Sequence, residues 1–240
     1  MKFACVSDIG LCREKNQDAY TTIENRYGDF LAIVADGIGG GKAGEVASAE
    51  VIKYFNVIFK ESGPFESVED TINYMNYHLA RVNEKIFSMS LSDFNYSGMG
   101  TTITGILINS EFSISFNCGD SRVYGFADNN IYHLTIDHTL VNQMLENNQI
   151  TYEESLTHPK RHYLIKAIGI FQSVVPDVHK VQNMDYYLVC SDGLHGYVSD
   201  EEILNIVSSN STLEEKIEDL KDISLMKGGY DNITAILIEK

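Results

Sequence analysis

Phe30-Leu31-Ala32-Ile33-Val34-Ala35-Asp36-Gly37-Ile38-Gly39-Gly40 decides how the rest of this 240-residue chain is read. Its first six residues are apolar without a break, which predicts a strand buried on both faces. A carboxylate follows, then three glycines within four residues. An acidic side chain directly after a buried strand is costly unless it is solvated or paired. Glycines beside it let the backbone approach a ligand closely. Asp-Gly alone is an ordinary turn signal, but here the arrangement recurs. Tyr186-Tyr187-Leu188-Val189-Cys190-Ser191-Asp192-Gly193 is another apolar strand ending in Asp-Gly. The run 112–116 leads into Asn117-Cys118-Gly119-Asp120, and Asp231-Asn232 stands just ahead of the apolar run 233–238. Four strands thus carry an aspartate at an end. If those ends converge, the carboxylates repel one another unless a cation sits among them.

The remaining composition narrows the class. At 44% hydrophobic, 240 residues suit one large domain spanning 1–240. A formal net charge of -16 argues against nucleic acid or an anionic membrane as partner. It also means that a phosphorylated substrate needs local positive charge, from a metal or an arginine. Cys5, Cys12, Cys118 and Cys190 form no CxxC pair, so neither a zinc site nor a disulfide framework is expected. Reduced, buried thiols in a cytoplasmic protein fit better. The start, Met1-Lys2-Phe3-Ala4-Cys5, lacks the apolar core of a signal peptide, and no apolar run is long enough to span a bilayer. A monomer is the default oligomeric state.

Along the chain, 2–7 reads as a strand and 8–18 as a polar loop carrying Arg13. An isolated loop arginine is usually a solvated charge; its other use is as a fork that grips phosphate through two parallel hydrogen bonds. Residues 44–60 read as a helix, with Ala47, Val51, Tyr54, Phe55, Ile58 and Phe59 on one face. Val68, Ile72, Met75, Leu79, Val82, Ile86 and Met89 then mark a second, longer helix. Strands are expected at 101–108, 111–116, 121–126 and 131–134, with hairpin-like connections. A helix at 139–148 is followed by a polar stretch with short helices, then a strand at 181–190, helices at 201–207 and 213–223, and the final strand. Strands in runs with helices paired between them predict an α+β protein of packed sheets covered by helices, not a βαβ parallel sheet.

With these residues in place, the chain resembles the bacterial PPM-type (type 2C) metal-dependent serine/threonine protein phosphatases, in order and over nearly its whole length. Ser7-Asp8-Ile9-Gly10 with Arg13 and Asn16-Gln17-Asp18 is similar to the family's first motif, and 34–40 with Gly44-Glu45 to its second. Gly100-Thr101-Thr102 and Gly119-Asp120-Ser121-Arg122 match the middle motifs. The segment carrying the family's flap is matched by Thr135-Ile136-Asp137-His138-Thr139-Leu140, Thr157-His158-Pro159 and Ala167-Ile168-Gly169. Ser191-Asp192-Gly193-Leu194 and Gly229-Tyr230-Asp231-Asn232-Ile233-Thr234 match the last two.

The resemblance implies a four-layer α-β-β-α sandwich, two antiparallel sheets flanked by helix pairs, with a flap subdomain at about 138–170. It implies that Asp36 bridges two Mn or Mg ions, that the Gly37 carbonyl joins one of them, and that Asp192 and Asp231 hold the other. Asp120 resembles the ligand of a third, weaker metal site, and Arg13 the phosphate-gripping arginine. Asp18 and Asn232 stand behind these groups. The implied reaction is metal-assisted hydrolysis of phosphoserine and phosphothreonine in proteins without a phosphoenzyme. The implied partners are phosphorylated proteins, among them a serine/threonine kinase and that kinase's targets. Oxygen-only ligands suit Mg or Mn.

One departure carries a consequence. Family members often have a histidine near the glycine loop that protonates the leaving alkoxide, and Ile38 and Gly41 occupy those two places here. The expectation is a handicap on poor leaving groups such as phosphoserine relative to an aryl phosphate. The other histidines, among them His78, His133, His138, His158, His162 and His179, read as surface or structural. Two other classes of function compete. A serine-hydrolase reading takes Gly119-Asp120-Ser121 as nucleophile motif and Asp192-Gly193-Leu194-His195 as its Asp-x-x-His pair. A regulatory pseudophosphatase, catalytically weak and acting as a binding module, would keep the fold and lose metal carboxylates, whereas Asp36, Asp192 and Asp231 all remain.

Overall fold

Alternate residues of the 30–35 run face two different apolar layers. Leu31, Ile33 and Ala35 pack with helix residues such as Val51, Phe55, Met75 and Leu79. Phe30, Ala32 and Val34 pack instead with Val123, Tyr187, Val189, Ile236 and Ile238, which come from another sheet. A strand with a helix layer on one side and a sheet on the other has no solvent face, so it cannot alternate polar and apolar residues.

In the computed structural model, which describes residues 1–38 and 43–240, eleven strands and seven helices follow one another. They are β1 (Lys2–Asp8), β2 (Asp18–Glu24), β3 (Phe30–Ile38), α1 (Gly44–Lys60), α2 (Val68–Ser92), β4 (Gly100–Thr101), β5 (Ile103–Ile108), β6 (Ser113–Cys118), β7 (Arg122–Ala127) and β8 (Asn130–His133). Then come α3 (Leu140–Glu146), α4 (Tyr152–Thr157), β9 (Asp177–Val181), β10 (Tyr186–Cys190), α5 (Asp192–His195), α6 (Asp200–Val207), α7 (Leu213–Met226) and β11 (Ile233–Glu239). One sheet has the order β1-β11-β10-β7-β8; the other is β2-β3-β5-β6-β9, with β4 paired to β3. Every pairing between them is antiparallel.

Three apolar seams hold four layers together. Helices α1 and α2 cover the β3 sheet. Helices α6 and α7 cover the β11 sheet through Ile203, Val207, Ile217 and Leu220. The third seam joins the two sheets face to face. The α-β-β-α arrangement is therefore the one the sequence led us to expect. The helices start where their side chains dictate. Ser67 accepts the Asp70 N–H at the head of α2. Ser199 with Glu202 and Thr212 with Glu215 form capping boxes on α6 and α7.

Three local expectations need correction. Strand β2 was not foreseen; it is the edge of its sheet and its Asp18-Ala19-Tyr20-Thr21-Thr22-Ile23-Glu24 carries a weak apolar pattern. The strand expected at 181–190 is two strands in different sheets, β9 and β10. The chain crosses between sheets at 182–185, where Asp185 N–H donates to the Phe126 carbonyl (2.9 Å) and Met184 N–H to Tyr187 Oη (3.1 Å). Likewise 101–108 breaks at Thr102, whose N–H turns to the Asp36 carbonyl (2.8 Å).

Candidate active site

Asp36 lies inside β3, two residues before its end, and its backbone is held on both sides. Its N–H donates to Thr102 Oγ1 (2.9 Å), and its carbonyl accepts from Thr102 N–H (2.8 Å) and Thr101 Oγ1 (2.8 Å). That is the local work of Gly100-Thr101-Thr102. Gly37 follows because no side chain fits: a Cβ there would lie 2.4 Å from the Gly44 carbonyl oxygen, at the head of α1.

Asp192 opens α5 directly after β10. The preceding Ser191 donates its hydroxyl to Asp18 Oδ2 (2.7 Å). A Cβ on Gly193 would lie 1.9 Å from the Asn232 carbonyl oxygen, so glycine lets the β10 and β11 ends close together. Asn232 ties the 9–17 loop to β11. Its Oδ1 accepts Gln17 N–H (2.9 Å), and its Nδ2 donates to the Ile9 (2.9 Å) and Lys15 (3.0 Å) carbonyls. That latch brings Arg13 to Asp231, Nη2 to Oδ2 at 2.6 Å. Asp120 sits between β6 and β7, its carbonyl accepting His195 Nε2–H (2.9 Å).

The converging strand ends line one cavity of about 440 Å³ that holds Arg13, Asp36, Asp120, Asp192 and Asp231 in its wall. Gln17, Gly37, Ile38, Thr102 and Tyr197 complete that wall, and His162 and Leu164 reach it from the 138–170 segment. Asp18 and Asn232 stand outside the cavity and support it, through the hydrogen bonds just given. The Gly41 position lies outside the described residues.

Acids this close raise one another's pKa. Burial, then the charges of Asp18, Asp192, Asp120 and Asp231, hold Asp36 well above the usual carboxylate range. Burial and Asp192 do the same to Asp120. Burial, with Asp231 and Asp18, pushes Asp192 up to about 7. Burial pushes Asp18 up to about 6, against the hydrogen bonds it accepts from Ser191 and Thr234. Burial opposes the Arg13 charge, but Asp231, Asp192 and Asp36 outweigh it and raise its pKa.

The donor set fits divalent cations. Asp18 Oδ1 and Asp192 Oδ1 are sealed from solvent and meet no hydrogen-bond donor. A cation among the acids would reverse their mutual repulsion. The cavity wall offers four carboxylates and one imidazole but no thiol, a carboxylate-rich set that suits Mg or Mn. Among the described residues no three His, Cys, Asp or Glu side chains are grouped so that they could together hold a metal ion as they stand. Magnesium-type sites do not need such a group, because these ions are held by one or two carboxylates and keep several waters.

The serine-hydrolase reading fails here. Ser121 is fully buried with its hydroxyl on Thr102 Oγ1 (2.8 Å), and His195 faces the Asp120 carbonyl rather than that hydroxyl. His162, read from the sequence as surface or structural, is exposed, and its residue also lines the cavity. It lies in a loop without periodicity, so no pattern told which way it points. Its nearness to Thr157-His158-Pro159 was the available signal.

Comparison with known proteins gives a consistent picture. The family model described as protein phosphatase 2C matches residues 13–224. A serine/threonine phosphatase stp of Listeria monocytogenes is 34% identical over 236 residues, covering 98% of this chain and 94% of that protein. The crystal structure of the serine/threonine phosphatase Stp1 from Staphylococcus aureus superposes with a TM-score of 0.94 at 32% identity, covering 100% of this chain and 94% of that one. The catalytic domain of the serine threonine protein phosphatase PstP, solved in complex with 2 manganese ions, matches with a TM-score of 0.86 at 30% identity over 99% of this chain and 97% of that chain.

Proposed function

The chain belongs to the protein phosphatase 2C family, and from that membership we propose that its carboxylate cavity hydrolyses phosphoserine and phosphothreonine in proteins. One observation carries the reading: Asp36, Asp120, Asp192 and Asp231, from four separate strand ends, line a single cavity with Arg13. Acids gathered at such cost need a ligand that uses them.

Asp36, the Gly37 carbonyl, Asp192 and Asp231 would together hold two Mn or Mg ions. Asp120 would serve a third, weaker ion. When bound, the cations lower the pKa of water for attack on phosphorus and offset phosphoryl charge. Arg13 binds the phosphoryl oxygens through its guanidinium fork and orients the group in line. Asp231 steers Arg13 by the 2.6 Å contact. Asp18 fixes Ser191, and with it the turn bearing Asp192, through the 2.7 Å hydrogen bond. Asn232 fixes the loop that carries Arg13.

In this reading 1–240 is a single phosphatase domain, and 138–170 is a flap that helps choose the substrate. Its substrates are phosphorylated proteins, including a serine/threonine kinase and that kinase's targets, so the enzyme reverses kinase signalling. It acts in the cytoplasm as a monomer; among the described residues no helix is long and apolar enough to cross a membrane. The pseudophosphatase alternative expects lost carboxylates, and Asp36, Asp192 and Asp231 all line the cavity. The test is phosphate release from a phosphothreonine peptide with manganese, with EDTA, and with Asp192→Ala. Turnover that needs manganese and vanishes in the variant supports the reading. A folded protein that binds manganese and releases nothing sinks it.

A further inference from the structure

The leaving oxygen of a phosphoserine needs a proton. When the P–O bond to serine breaks, its electron pair goes to an alkoxide, a much stronger base than an aryloxide. A donor positioned at that oxygen typically contributes about 10²–10⁴-fold. The glycine loop offers no imidazole, since Ile38 is aliphatic and position 41 is glycine.

The chain's seven histidines all lie among the described residues, and six are engaged elsewhere or distant. His138 accepts Gly119 N–H on Nδ1 (3.1 Å) and faces Asp177 (3.1 Å) with Nε2. His195 gives its Nε2 proton to the Asp120 carbonyl. His78 bonds Tyr54 Oη (2.8 Å), His133 bonds Asp200 (2.7 Å), and His158 accepts Lys160 N–H (3.2 Å). His179 is exposed on β9.

Of the seven, His162 alone lines the cavity that holds Arg13, Asp36, Asp192 and Asp231. Its ring nitrogens make no hydrogen bond to any other described residue. It comes from the 138–170 segment, whereas the carboxylates rise from the strand ends. A phosphoryl group bound in this cavity therefore shares its wall with one imidazole, supplied by a segment other than those that carry the carboxylates.

We propose that His162 protonates the serine oxygen as it leaves phosphorus, taking the place of the histidine missing from the glycine loop. The inference rests on the proposed phosphatase reading. A water oxygen forms the new bond to phosphorus; the P–O bond to serine breaks, and the freed oxygen takes the imidazolium proton. The products are phosphate, serine and neutral imidazole, which regains a proton from solvent. Burial first, then Arg161, holds the His162 pKa below the ordinary imidazole value, against the opposing pull of Asp231. A phosphate dianion adds to the upward pull, favouring a charged ring when substrate is bound. Tyr197 also lines the cavity, but burial raises its pKa and makes it a poor donor near neutrality.

His162→Gln keeps the size and polarity of the side chain and removes the exchangeable charge. Its kcat should be measured in manganese on a phosphoserine peptide and on p-nitrophenyl phosphate, whose leaving group needs no proton. His179→Gln is the control for losing a surface histidine. The proposal expects kcat on phosphoserine to fall by about 10²-fold, at least ~10-fold more than on the aryl ester. It also expects manganese affinity, read by calorimetry, to match that of the unsubstituted protein. An equal loss on both substrates, a change in KM alone, no change, or weakened manganese binding would each overturn it. If the unsubstituted protein shows no manganese-dependent turnover of either substrate, the phosphatase reading itself falls and takes this proposal with it. A fully active protein with an indifferent variant removes only His162.

Discussion

Asp18 on β2 and Asp36 on β3 are register partners across an antiparallel ladder, so two acids sit side by side, Asp36 in the cavity wall and Asp18 behind it. Both have pKa values raised by burial, Asp18 to about 6 from an ordinary 3.8. A carboxyl whose folded pKa exceeds its unfolded value destabilises the fold once ionised. That penalty is absent below the unfolded value and complete above the folded one. Metal-free protein should therefore lose stability as pH rises from about 4 through 7, by on the order of 2–3 kcal/mol for the Asp18 shift alone. Thermal unfolding in EDTA reads this directly, with Tm higher at pH 5.5 than at pH 7.5. Saturating manganese should flatten or reverse the slope, because cations favour the ionised acids. A Tm in EDTA that climbs with pH would show the acids are better paired than the geometry indicates.

Asp192→Asn separates function from stability. Asp192 has a buried Oδ1 without a donor and a pKa near 7, so at neutral pH the apo fold tolerates it poorly. The amide removes charge at almost constant shape. In EDTA the variant should melt a few degrees above the unsubstituted protein, while manganese-dependent turnover falls by at least about 10²-fold. Lower stability together with lost turnover would mean that Asp192 has a structural role that its missing hydrogen bonds conceal.

The carboxylates could be found from the sequence because each ends an apolar run or borders one, and burial leaves such runs unbroken. Asp36, Asp192 and Asp231 were legible for that reason. So were α1, at the same bounds 44–60, and the long stripe of α2. Strand β2 was not legible. Its edge position leaves Tyr20 and Glu24 exposed, and Thr21 and Ile23 are all that mark its buried face. The division of 181–190 between sheets was hidden too, since the crossover depends on contacts with Phe126 and Tyr187 that are distant in sequence or lie beyond the break. That His162 lines the cavity was not legible, because loop residues have no period to reveal their direction.

Arg13→Lys should behave much like Arg13→Ala. A lysine keeps the charge near Asp231 but loses the planar fork that matches phosphate. Arg13 is half exposed, and its contact with Asp231 contributes little to stability. The expected result is a fall of about 10–100-fold in kcat/KM on a phosphopeptide with unchanged Tm. Full activity in the lysine variant would show that a point charge is sufficient.

Asn232→Ala tests the latch. The change leaves the Ile9 and Lys15 carbonyls and the Gln17 N–H without their partner in a part-buried setting. Each orphaned group costs about 1–3 kcal/mol unless water reaches it, so a total near 3 kcal/mol is expected. The Arg13 loop also loses its anchor, and KM should rise although no metal-binding acid has been touched. Denaturant unfolding and steady-state kinetics together read both effects. A stability loss without a KM change would confine Asn232 to folding.

Gly193→Ala and Gly63→Ala form a matched pair. At Gly193 the added carbon would lie 1.9 Å from the Asn232 carbonyl oxygen, a backbone atom that moves only if the β11 end moves with it. At Gly63 nothing lies within 4 Å. The Gly193 variant should lose several kcal/mol and, because Asp192 and Asp231 flank the forced contact, should lose manganese affinity even where it still folds. The Gly63 variant should unfold within about 1 kcal/mol of the unsubstituted protein, since alanine mainly restricts the unfolded chain there. Calorimetric manganese titration alongside denaturant melts distinguishes the two. If Gly193→Ala folded normally and bound manganese undiminished, the close approach of the β10 and β11 ends would not be what sets the distance between these two acids.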